Sequence, residues 1–363
     1  MRVLHINAGL ENGGGLSHII GLLSQFPKDE VELLTFADGP VAAAAKKKGI
    51  KVKIMGKSSR YDFGLLKELV AYINAGDFDL VHTHGARANL FLSLIRNKIK
   101  AKWIITVHSD PRLDFMQRGV LGWLFTKLNI RSLKKADGIF AVTQNFKNVL
   151  LALGIAENKI RVIYNGIRFQ TVVPERQPHD KFEIVIVGRL HPVKGHSILL
   201  NAFKEAAIKE AQLTIIGEGE LKNDLQKLTS DLKIDQQVNF TGMLTQTEIN
   251  QYYLKTDLAV LSSLSESFPL VLLEAANYGV PVIATDVGDM RQLIPDDNYG
   301  WIVPTQDMIA LKTALLEAYA NWQTGTLQPI GDRLRVHAQA NFSIDNLCQS
   351  TIKGYTIFLS TNM

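Results

Sequence analysis

The sequence has a single cysteine, Cys348, in 363 residues, and it contains no CxxC pair, no GxSxG segment and no P-loop lysine motif. One cysteine cannot form an intramolecular disulfide, which excludes a disulfide scaffold. The missing motifs argue against a dithiol redox site, a hydrolase nucleophile elbow and a P-loop nucleotide site. No uninterrupted apolar run approaches the roughly 18 residues of a membrane-spanning helix. These absences predict a cytoplasmic protein, and the opening MRVLHINAGL predicts a buried strand rather than a signal peptide.

The composition and the distribution of charge narrow the choice further. Hydrophobic residues make up 46% of the chain and charged residues 21%, which excludes disorder, and 363 residues is typical of about two globular domains. Residues 1–165 carry 24 Lys and Arg against 13 Asp and Glu, a net charge of +11, whereas residues 166–363 carry 16 against 22, a net charge of −6. The basic half favours an anionic partner: phospholipid head groups, a phosphorylated acceptor or nucleic acid.

Short apolar segments alternate with helical patterns in both halves of the chain. Near-continuous apolar segments are typical of parallel strands that helices cover on both faces. In order, the predicted strands are 2–7, 31–36, 51–55, 80–84, 103–108, 138–143, 160–164, 183–187, 212–216, 238–240, 258–261, 281–285 and 301–303. Residues 168–181, with two prolines and no periodicity, predict a linker. The fold class is therefore α/β, with two doubly wound domains and a ligand-binding cleft at the carboxyl ends of their strands.

Two cations follow the first predicted strand of the second half. In Gly188-Arg-Leu-His-Pro-Val-Lys-Gly195, both Arg189 and Lys194 lie in a turn that leads into a predicted helix. Because the N-terminus of a helix disfavours cations, this placement indicates an anion between them and the helix. A phosphate or diphosphate suits guanidinium, ammonium and helix amides together. The alternative is a pair of solvated surface cations.

Two glutamates with seven residues between them follow the predicted strand at 258–261. Pro269 and Gly279 suit the start and the end of a short apolar helix. Glu266 then lies in the loop before this helix, and Glu274 lies inside it. A carboxylate flanked by leucines and alanines needs hydrogen-bond donors, which ligand hydroxyls can supply. The alternative for Glu274 is a structural ion pair or a hydrogen bond to a neighbouring loop.

Weaker signals occur at strand ends of the first half. Residues 12–15, Asn-Gly-Gly-Gly, stand between the first strand and a helical run that begins at Leu16, and their glycines would let backbone amides approach a phosphate. A plain flexible turn explains this segment equally well. The histidines at strand ends are His82, His84 and His108, and a metal site that they form with Asp110 is one interpretation. Hydrogen bonding of each histidine in the core or the cleft is the default, and His108 is the best placed to face the cleft.

Residues 112–135, RLDFMQRGVLGWLFTKLNIRSLKK, combine basic and aromatic side chains in a pattern compatible with a helix. Such a surface is typical of helices that lie on an anionic membrane. The alternative is an ordinary domain helix with a polar outer face.

These segments together resemble the retaining glycosyltransferase family 4. The resemblance extends over essentially the whole chain, and it rests on residues 12–15, Val187 to Gly195, Ile216-Gly-Glu-Gly219, Phe240-Thr-Gly242 and the two glutamates. It implies the GT-B architecture, in which two Rossmann-like domains with parallel sheets face each other across a cleft. The implied parts are an N-terminal domain at 1–167 joined by a C-terminal helix at 343–363, a linker at 168–181 and a donor domain at 182–342.

The resemblance also implies roles for individual residues. Arg189 and Lys194 would hold the donor diphosphate and stabilise it as a leaving group, and Glu274 would accept hydrogen bonds from the nucleotide ribose. Glu266 would lie near the donor sugar, and His108 would contact this sugar near the acceptor. The remaining donor-binding residues implied by the resemblance are Gly14, Gly15, Gly188, Met243, Ser267, Phe268, Pro269 and Leu270. Ser267 and Asp289 stand where the family often has glycine, and both bear on the identity of the donor sugar.

The implied activity is transfer of a sugar from a nucleotide-diphosphate sugar, with a UDP-sugar favoured, to an acceptor hydroxyl with retained configuration. Neither a cofactor nor a catalytic metal is expected, since the two cations compensate the charge of the leaving diphosphate. The expected partners are the donor, a carbohydrate or lipid-linked acceptor of bacterial polysaccharide or glycolipid assembly, and the anionic inner face of the cell membrane, but no nucleic acid. The alternatives are a sugar-nucleotide epimerase of the same architecture and a non-catalytic partner protein.

Overall fold

The computed structural model of the protein describes residues 1–11, 13–56, 64–113, 119–172 and 179–360. The chain forms two units, one comprising Met1–Arg168 with Ile344–Met363 and the other Phe169–Ser343. Some residues of the predicted segments lie outside this description: Asn12, residues 114–118, which include Phe115 and Met116, residues 173–178 and residues 361–363. Among the residues that are described, no helix is both long enough and apolar enough to cross a membrane.

The first unit is built around a parallel sheet of seven strands. The strands are β1 (Val3–Asn7), β2 (Val31–Thr35), β3 (Val52–Ile54), β4 (Leu80–His84), β5 (Lys102–Val107), β6 (Gly138–Ala141) and β7 (Ile160–Val162). The helices between them are α1 (Gly14–Leu23), α2 (Pro40–Lys47), α3 (Gly64–Ala75), α4 (Ala86–Ile95), α5 (Gly119–Lys135) and α6 (Gln144–Ala152). All residues of β1, β2 and β4 are buried, as expected of strands that helices cover on both faces.

The order of these strands determines where a ligand can bind. The sheet runs β3-β2-β1-β4-β5-β6-β7, so the direction of winding reverses between β1 and β4. The register pairs Asn7 with His84 at the carboxyl ends of these two strands. Open α/β sheets bind ligands in the crevice outside the carboxyl ends of the strands at such a reversal. The side chains at the ends of β1 and β4 are therefore the first place to look for a site in this unit.

The second unit repeats this design with six parallel strands. They are β8 (Phe182–Val187), β9 (Ala211–Ile216), β10 (Val238–Gly242), β11 (Leu258–Leu261), β12 (Val282–Thr285) and β13 (Trp301–Val303), in the order β10-β9-β8-β11-β12-β13. The helices are α7 (His196–Ala206), α8 (Lys222–Asp231), α9 (Gln246–Tyr253), α10 (Leu270–Asn277), α11 (Met290–Leu293), α12 (Met308–Gln323) and α13 (Leu327–Phe342). The winding reverses between β8 and β11, which marks the corresponding crevice of this unit.

The last helix, α14 (Ile344–Ser360), packs in the first unit. Glycines allow its close approach to β6, because a Cβ on Gly138 would lie 2.4 Å from the Phe358 ring and a Cβ on Gly354 would lie 2.6 Å from the Phe140 ring. Tyr355 of this helix is fully buried. The helix therefore packs against the sheet as part of the core of the first unit. It also places a polar group, the Tyr355 hydroxyl, in that core.

A strand is present at each of the thirteen predicted positions, and the two parallel-sheet units confirm the predicted α/β class. Two local details differ from the sequence analysis. Helix α1 begins at Gly14 rather than Leu16, so Gly14 and Gly15 form its first turn. The start of the predicted linker is anchored in the second unit, where Gln170 is hydrogen-bonded to the side chains of Asn277 and Tyr278. These partners lie more than 100 residues away in sequence, so no local pattern indicates the contact.

Candidate active site

Two loops of the second unit meet at the carboxyl ends of β8 and β11. The Ser262 hydroxyl donates a hydrogen bond to the Lys194 carbonyl oxygen at 3.0 Å, and the Leu264 amide donates to the Val193 carbonyl oxygen at 2.7 Å. Gly195 ends the first loop with a φ of +64°, and a Cβ there would lie 2.1 Å from the Ser262 carbonyl oxygen. The position therefore needs glycine both for its backbone conformation and for the close approach of the two loops.

The contact between these loops joins two of the predicted catalytic residues. Lys194 Nζ donates to Glu266 Oε1 at 2.5 Å, and the Ser263 hydroxyl donates to the same oxygen at 2.7 Å. The side chains of Lys194 and Glu266 are 26% and 11% exposed, so the pair is partly desolvated. A charge-assisted hydrogen bond in such a place is stronger than one between neutral groups.

Arg189 lies at the start of the same loop and is exposed. The aliphatic part of Lys194 passes close to the preceding residue, since a Cβ on Gly188 would lie 3.8 Å from Lys194 Cδ. No carboxylate in the described part of the chain pairs with Arg189. Lys194, Glu266 and Arg189 thus have a net charge of +1, and the guanidinium is available to an anion.

Glu274 lies in the second turn of α10, which begins just after Pro269 at its N-cap position. Burial raises the pKa of the Glu274 carboxyl above its usual range, and a hydrogen bond with the Gln246 side chain opposes this effect. The buried Tyr253 is close enough for the Glu274 charge to help raise the pKa of its hydroxyl. A partly desolvated carboxylate with few protein donors is suited to accepting hydrogen bonds from ligand hydroxyls.

The other residues predicted to bind the donor surround these groups. The Phe268 side chain is buried against the Phe342 ring, with centroids 4.8 Å apart, so only its backbone can serve a ligand. The backbone of Ser267 packs tightly on Gly288, where a Cβ would lie 2.2 Å from the Ser267 carbonyl oxygen. Met243 follows β10 and is 78% exposed. The remaining members, Gly188, Pro269 and Leu270, lie in the two loops and at the start of α10.

The first unit contains a histidine cluster that the sequence analysis found only in part. Its members are His5 of β1, His18 of α1, His82 and His84 of β4, and His108 just after β5. The first four are at most 4% exposed, and His108 is half-buried. Sequence reasoning missed His5 because it lies inside an apolar strand, and missed His18 because nothing in α1 distinguishes it from a core position.

Hydrogen bonds join most of this cluster into a chain. Its members, in order, are His108, His84, His5, Tyr355, His82 and Thr106. Consecutive polar atoms along this chain are separated by 3.3, 3.0, 3.3, 2.5 and 2.6 Å. His18 stands beside the chain, with its ring centroid 4.7 Å from that of His108, and its Nδ1 is 2.9 Å from Asn165 Oδ1.

The imidazoles of the cluster are neutral at neutral pH. Burial lowers the pKa of His5 to about 3 and that of His18 to about 4. Burial and repulsion between neighbouring imidazoles hold the pKa values of the other three members well below their usual range. Each ring therefore offers one N–H donor and one lone pair.

Two further observations concern the loops around the cluster. Asp110, which the sequence analysis grouped with three histidines, instead binds the Arg112 guanidinium at 2.6 Å and is not a member of any group of converging ligand atoms among the described residues. Glu11, which the sequence analysis missed, lies beside Gly85, and burial raises the pKa of its carboxyl. Gly14, in the first turn of α1, has open space around it, since a Cβ there would meet no described atom within 4 Å.

The sequence of the chain matches two known family profiles. The family profile described as Glycosyltransferase Family 4 matches residues 12–170, and the profile described as Glycosyl transferases group 1 matches residues 169–329. An uncharacterized 41.2 kDa protein in the cps region of Klebsiella pneumoniae is 27% identical over 256 residues, which are 66% of this chain and 69% of that protein.

The fold of the chain is also similar to the folds of solved glycosyltransferase structures and of related proteins. The crystal structure of Anabaena HepE in complex with UDP has a TM-score of 0.85 at 18% identity, covering 97% of this chain and 99% of that chain. The apo form of the lipopolysaccharide outer core galactosyltransferase WaaB has a TM-score of 0.74 at 21% identity, covering 97% and 99%. The two family profiles together extend from residue 12 to residue 329, so the chain belongs to glycosyltransferase family 4, has the GT-B fold, and is a glycosyltransferase.

Proposed function

We propose that the protein transfers a sugar from a UDP-sugar to an acceptor hydroxyl with retention of anomeric configuration and without a catalytic metal. The observation that carries this proposal is the charge arrangement at the β8 and β11 loops, where the Lys194–Glu266 pair lies close to an exposed arginine, Arg189. A diphosphate is the natural anion for such a site. The UDP bound in HepE supports a uridine nucleotide as the carrier of the donor sugar.

In this proposal, the site residues of the second unit bind different parts of the donor. Arg189 and Lys194 bind the diphosphate, and their charges offset the negative charge that develops as it leaves. Glu274 accepts hydrogen bonds from the ribose hydroxyls. Glu266 and the backbone amides that follow it, including that of Ser267, bind the sugar. The exposed position of Met243 after β10 lets its backbone contact the base.

In the first unit, we assign phosphate binding to the backbone amides of Gly14 and Gly15 in the first turn of α1, and sugar binding to His108. During transfer, the bond between the sugar C1 and the diphosphate oxygen breaks, and a bond between C1 and the acceptor oxygen forms on the same face. The acceptor proton passes to the leaving phosphate oxygen, so no protein base is needed. Exclusion of water from the reacting atoms suppresses hydrolysis of the donor.

A screen of nucleotide sugars tests this proposal. The wild-type protein should hydrolyse one UDP-sugar slowly without acceptor, and Arg189→Ala should abolish this reaction. Arg291→Ala is the matched control, because Arg291 is an exposed arginine already paired with Asp286 at 2.7 Å. NMR of a transfer product should show the anomeric configuration of the donor. Inverted configuration, or equal activity of Arg189→Ala and the wild type, would overturn the proposal.

The same screen separates the two alternative functions. An epimerase would release an altered sugar nucleotide or its free sugar without any acceptor, whereas a transferase releases UDP and the unaltered sugar. A non-catalytic partner protein would show no turnover with any donor. Addition of EDTA should leave turnover unchanged, because the two cations take the place of a metal at the diphosphate.

The acceptor is proposed to be lipid-linked or membrane-proximal, as in bacterial polysaccharide or glycolipid assembly, and the protein to act on the cytoplasmic face of the membrane. Helix α5 exposes three large apolar side chains, Leu121, Trp123 and Leu124, at 64%, 60% and 45%. Lys127 Nζ lies 3.7 Å from the centroid of the Trp123 ring, and the helix has no acidic residue. This combination suits an anionic lipid surface, and the lipopolysaccharide acceptor in the name of WaaB is in keeping with it.

A further inference from the structure

Imidazole nitrogens converge at two places in the histidine cluster. Ligand atoms of His18, His84 and His108 lie within 4.8 Å of one another, and so do those of His5, His82 and His84. The two triads share His84 but differ in how their nitrogens are used. That difference decides which of them is available to a ligand.

The nitrogens of the His5, His82 and His84 triad already have partners. His82 uses both ring nitrogens, toward the Tyr355 hydroxyl at 2.5 Å and the Thr106 hydroxyl at 2.6 Å. His5 uses both of its own as well, toward His84 at 3.0 Å and Tyr355 at 3.3 Å. A metal ion in this triad would have to break a satisfied buried network.

His18 differs from these residues. Its Nε2 is buried and has no hydrogen-bond partner among the described residues, while its Nδ1 is bonded to Asn165 Oδ1. Because a carbonyl oxygen only accepts, the proton is on Nδ1 and Nε2 carries a lone pair. A buried polar atom without a partner is unfavourable, so its retention in the interior calls for a ligand.

The facing nitrogens of the other two members of this triad are hydrogen-bonded to each other. When His84 Nε2 donates to His5 Nδ1, the chain continues in one direction to Thr106, and the lone pair on His84 Nδ1 accepts a hydrogen bond from His108 Nε2 at 3.3 Å. A metal ion that takes the place of this proton binds both nitrogens, and His108 then carries its proton on Nδ1. Two nitrogens bound to one tetrahedral zinc ion at about 2.0–2.1 Å are also separated by roughly 3.3 Å.

We propose that His18, His84 and His108 bind a divalent transition metal ion of the zinc class through three neutral imidazoles. Zinc, cobalt and nickel all accept imidazole ligands. Three protein ligands leave a fourth position open, and it lies on the side of His108, the only half-buried member of the triad. Asn165 and His5 act as outer partners that fix the tautomers of His18 and His84.

This metal site has a consequence that rests on the proposed function. If His108 contacts the donor sugar, a metal ion that takes its lone pair withdraws it from the substrate. Zinc is therefore an inhibitor of transfer and not a cofactor. The reaction itself continues to depend on Arg189 and Lys194.

Cobalt binding to the full-length protein, after treatment with a chelator and dialysis, tests the site without any measurement of activity. We expect one Co²⁺ per chain with the intense visible absorption of a four-coordinate ion, and displacement by Zn²⁺. His108→Ala, at a half-buried position that tolerates truncation, and His18→Ala should each weaken binding by at least about 100-fold, and Asn165→Ala by about 10-fold. His82→Ala, from the same cluster, is the matched control and should retain the absorption.

Loss of the absorption in His82→Ala but not in His18→Ala would overturn the proposal in favour of the other triad. The pale spectrum of six-coordinate Co²⁺, unchanged in His108→Ala, would overturn it in favour of adventitious binding. Circular dichroism and thermal melting of each variant establish that it is folded. A wild-type protein that binds Co²⁺ as expected but is not inhibited by Zn²⁺ would contradict the placement of His108 at the sugar and would support the metal site.

Discussion

The replacement Lys194→Ala tests the central ion pair, and the structure sets the size of its effects. It removes a hydrogen bond of 2.5 Å from Glu266 and leaves this carboxylate, 11% exposed, with the Ser263 hydroxyl as its one side-chain donor in the described part of the chain. Hydrogen bonds to charged groups contribute about 1.5–3 kcal/mol, and the partial exposure of Lys194 places the loss of unfolding free energy at roughly 1–3 kcal/mol. Thermal melting should show this loss as a lower Tm.

The effect of Lys194→Ala on turnover should be larger than its effect on stability. One of the two cations proposed to bind the leaving diphosphate is lost, and removal of a single electrostatic stabiliser typically lowers kcat by about 10²–10³-fold. The assay is release of UDP at saturating donor, well below the Tm of the variant. Lys222→Ala is the control, since Lys222, at the start of α8, forms an ion pair with Glu218 at 2.8 Å in which both side chains are more than one third exposed. It should change neither stability nor turnover appreciably.

A double variant separates the two roles of Lys194. In Lys194→Ala/Glu266→Gln the uncompensated charge is gone, so stability should recover in part, whereas turnover should stay low. Turnover of Lys194→Ala within a factor of two of the wild type would refute the reasoning. So would recovery of turnover in the double variant, because the defect would then lie in folding and not in the chemistry.

Three further predictions concern other parts of the protein. Gly195→Ala should lower the free energy of unfolding by at least about 2 kcal/mol in denaturant titrations, because a Cβ at this left-handed residue would meet the Ser262 carbonyl oxygen. An unchanged free energy of unfolding would contradict the packing of the two loops. Burial raises the pKa of Glu274, so the folded state binds this proton more readily than the unfolded state, and stability falls as pH rises past 4.5. Glu274→Gln should therefore raise the Tm at pH 7, and this gain in Tm should shrink toward pH 4.5. Titration calorimetry should show weaker binding of the UDP-sugar to this variant. A lower Tm at pH 7 would contradict the raised pKa of Glu274. Trp123→Glu should abolish flotation with vesicles that contain phosphatidylglycerol, whereas Val336→Glu, at an equally exposed apolar position of the second unit, should not; equal flotation of both variants would contradict a membrane role for α5.

Much of the fold follows from local patterns. Each of the thirteen strands is a short apolar segment between helical ones, and this alternation leads to parallel sheets because every crossover passes through a helix. The turn before α7 was also predicted, since an apolar strand, a glycine and a helical pattern follow one another there, whereas the anion site at this turn stays a prediction. These signals are local because strand and helix periods, and the need for glycine at positive φ, depend on residues close in sequence.

The pairings within the site depend on strand order and on helices that return from far along the chain. Lys194 and Glu266 are 72 residues apart, and they meet because β11 is the neighbour of β8. His5 meets His84 because β4 pairs with β1, and Tyr355 reaches His5 and His82 only through α14. The sequence by itself determined the elements, the two-unit α/β class and the residue types at the strand ends. Only the tertiary structure decided which side chains share a hydrogen bond and which buried nitrogens, His18 Nε2 among them, have no partner in the described part of the chain. The reason is that side-chain contacts across a sheet depend on the order of its strands and not on their periodicity.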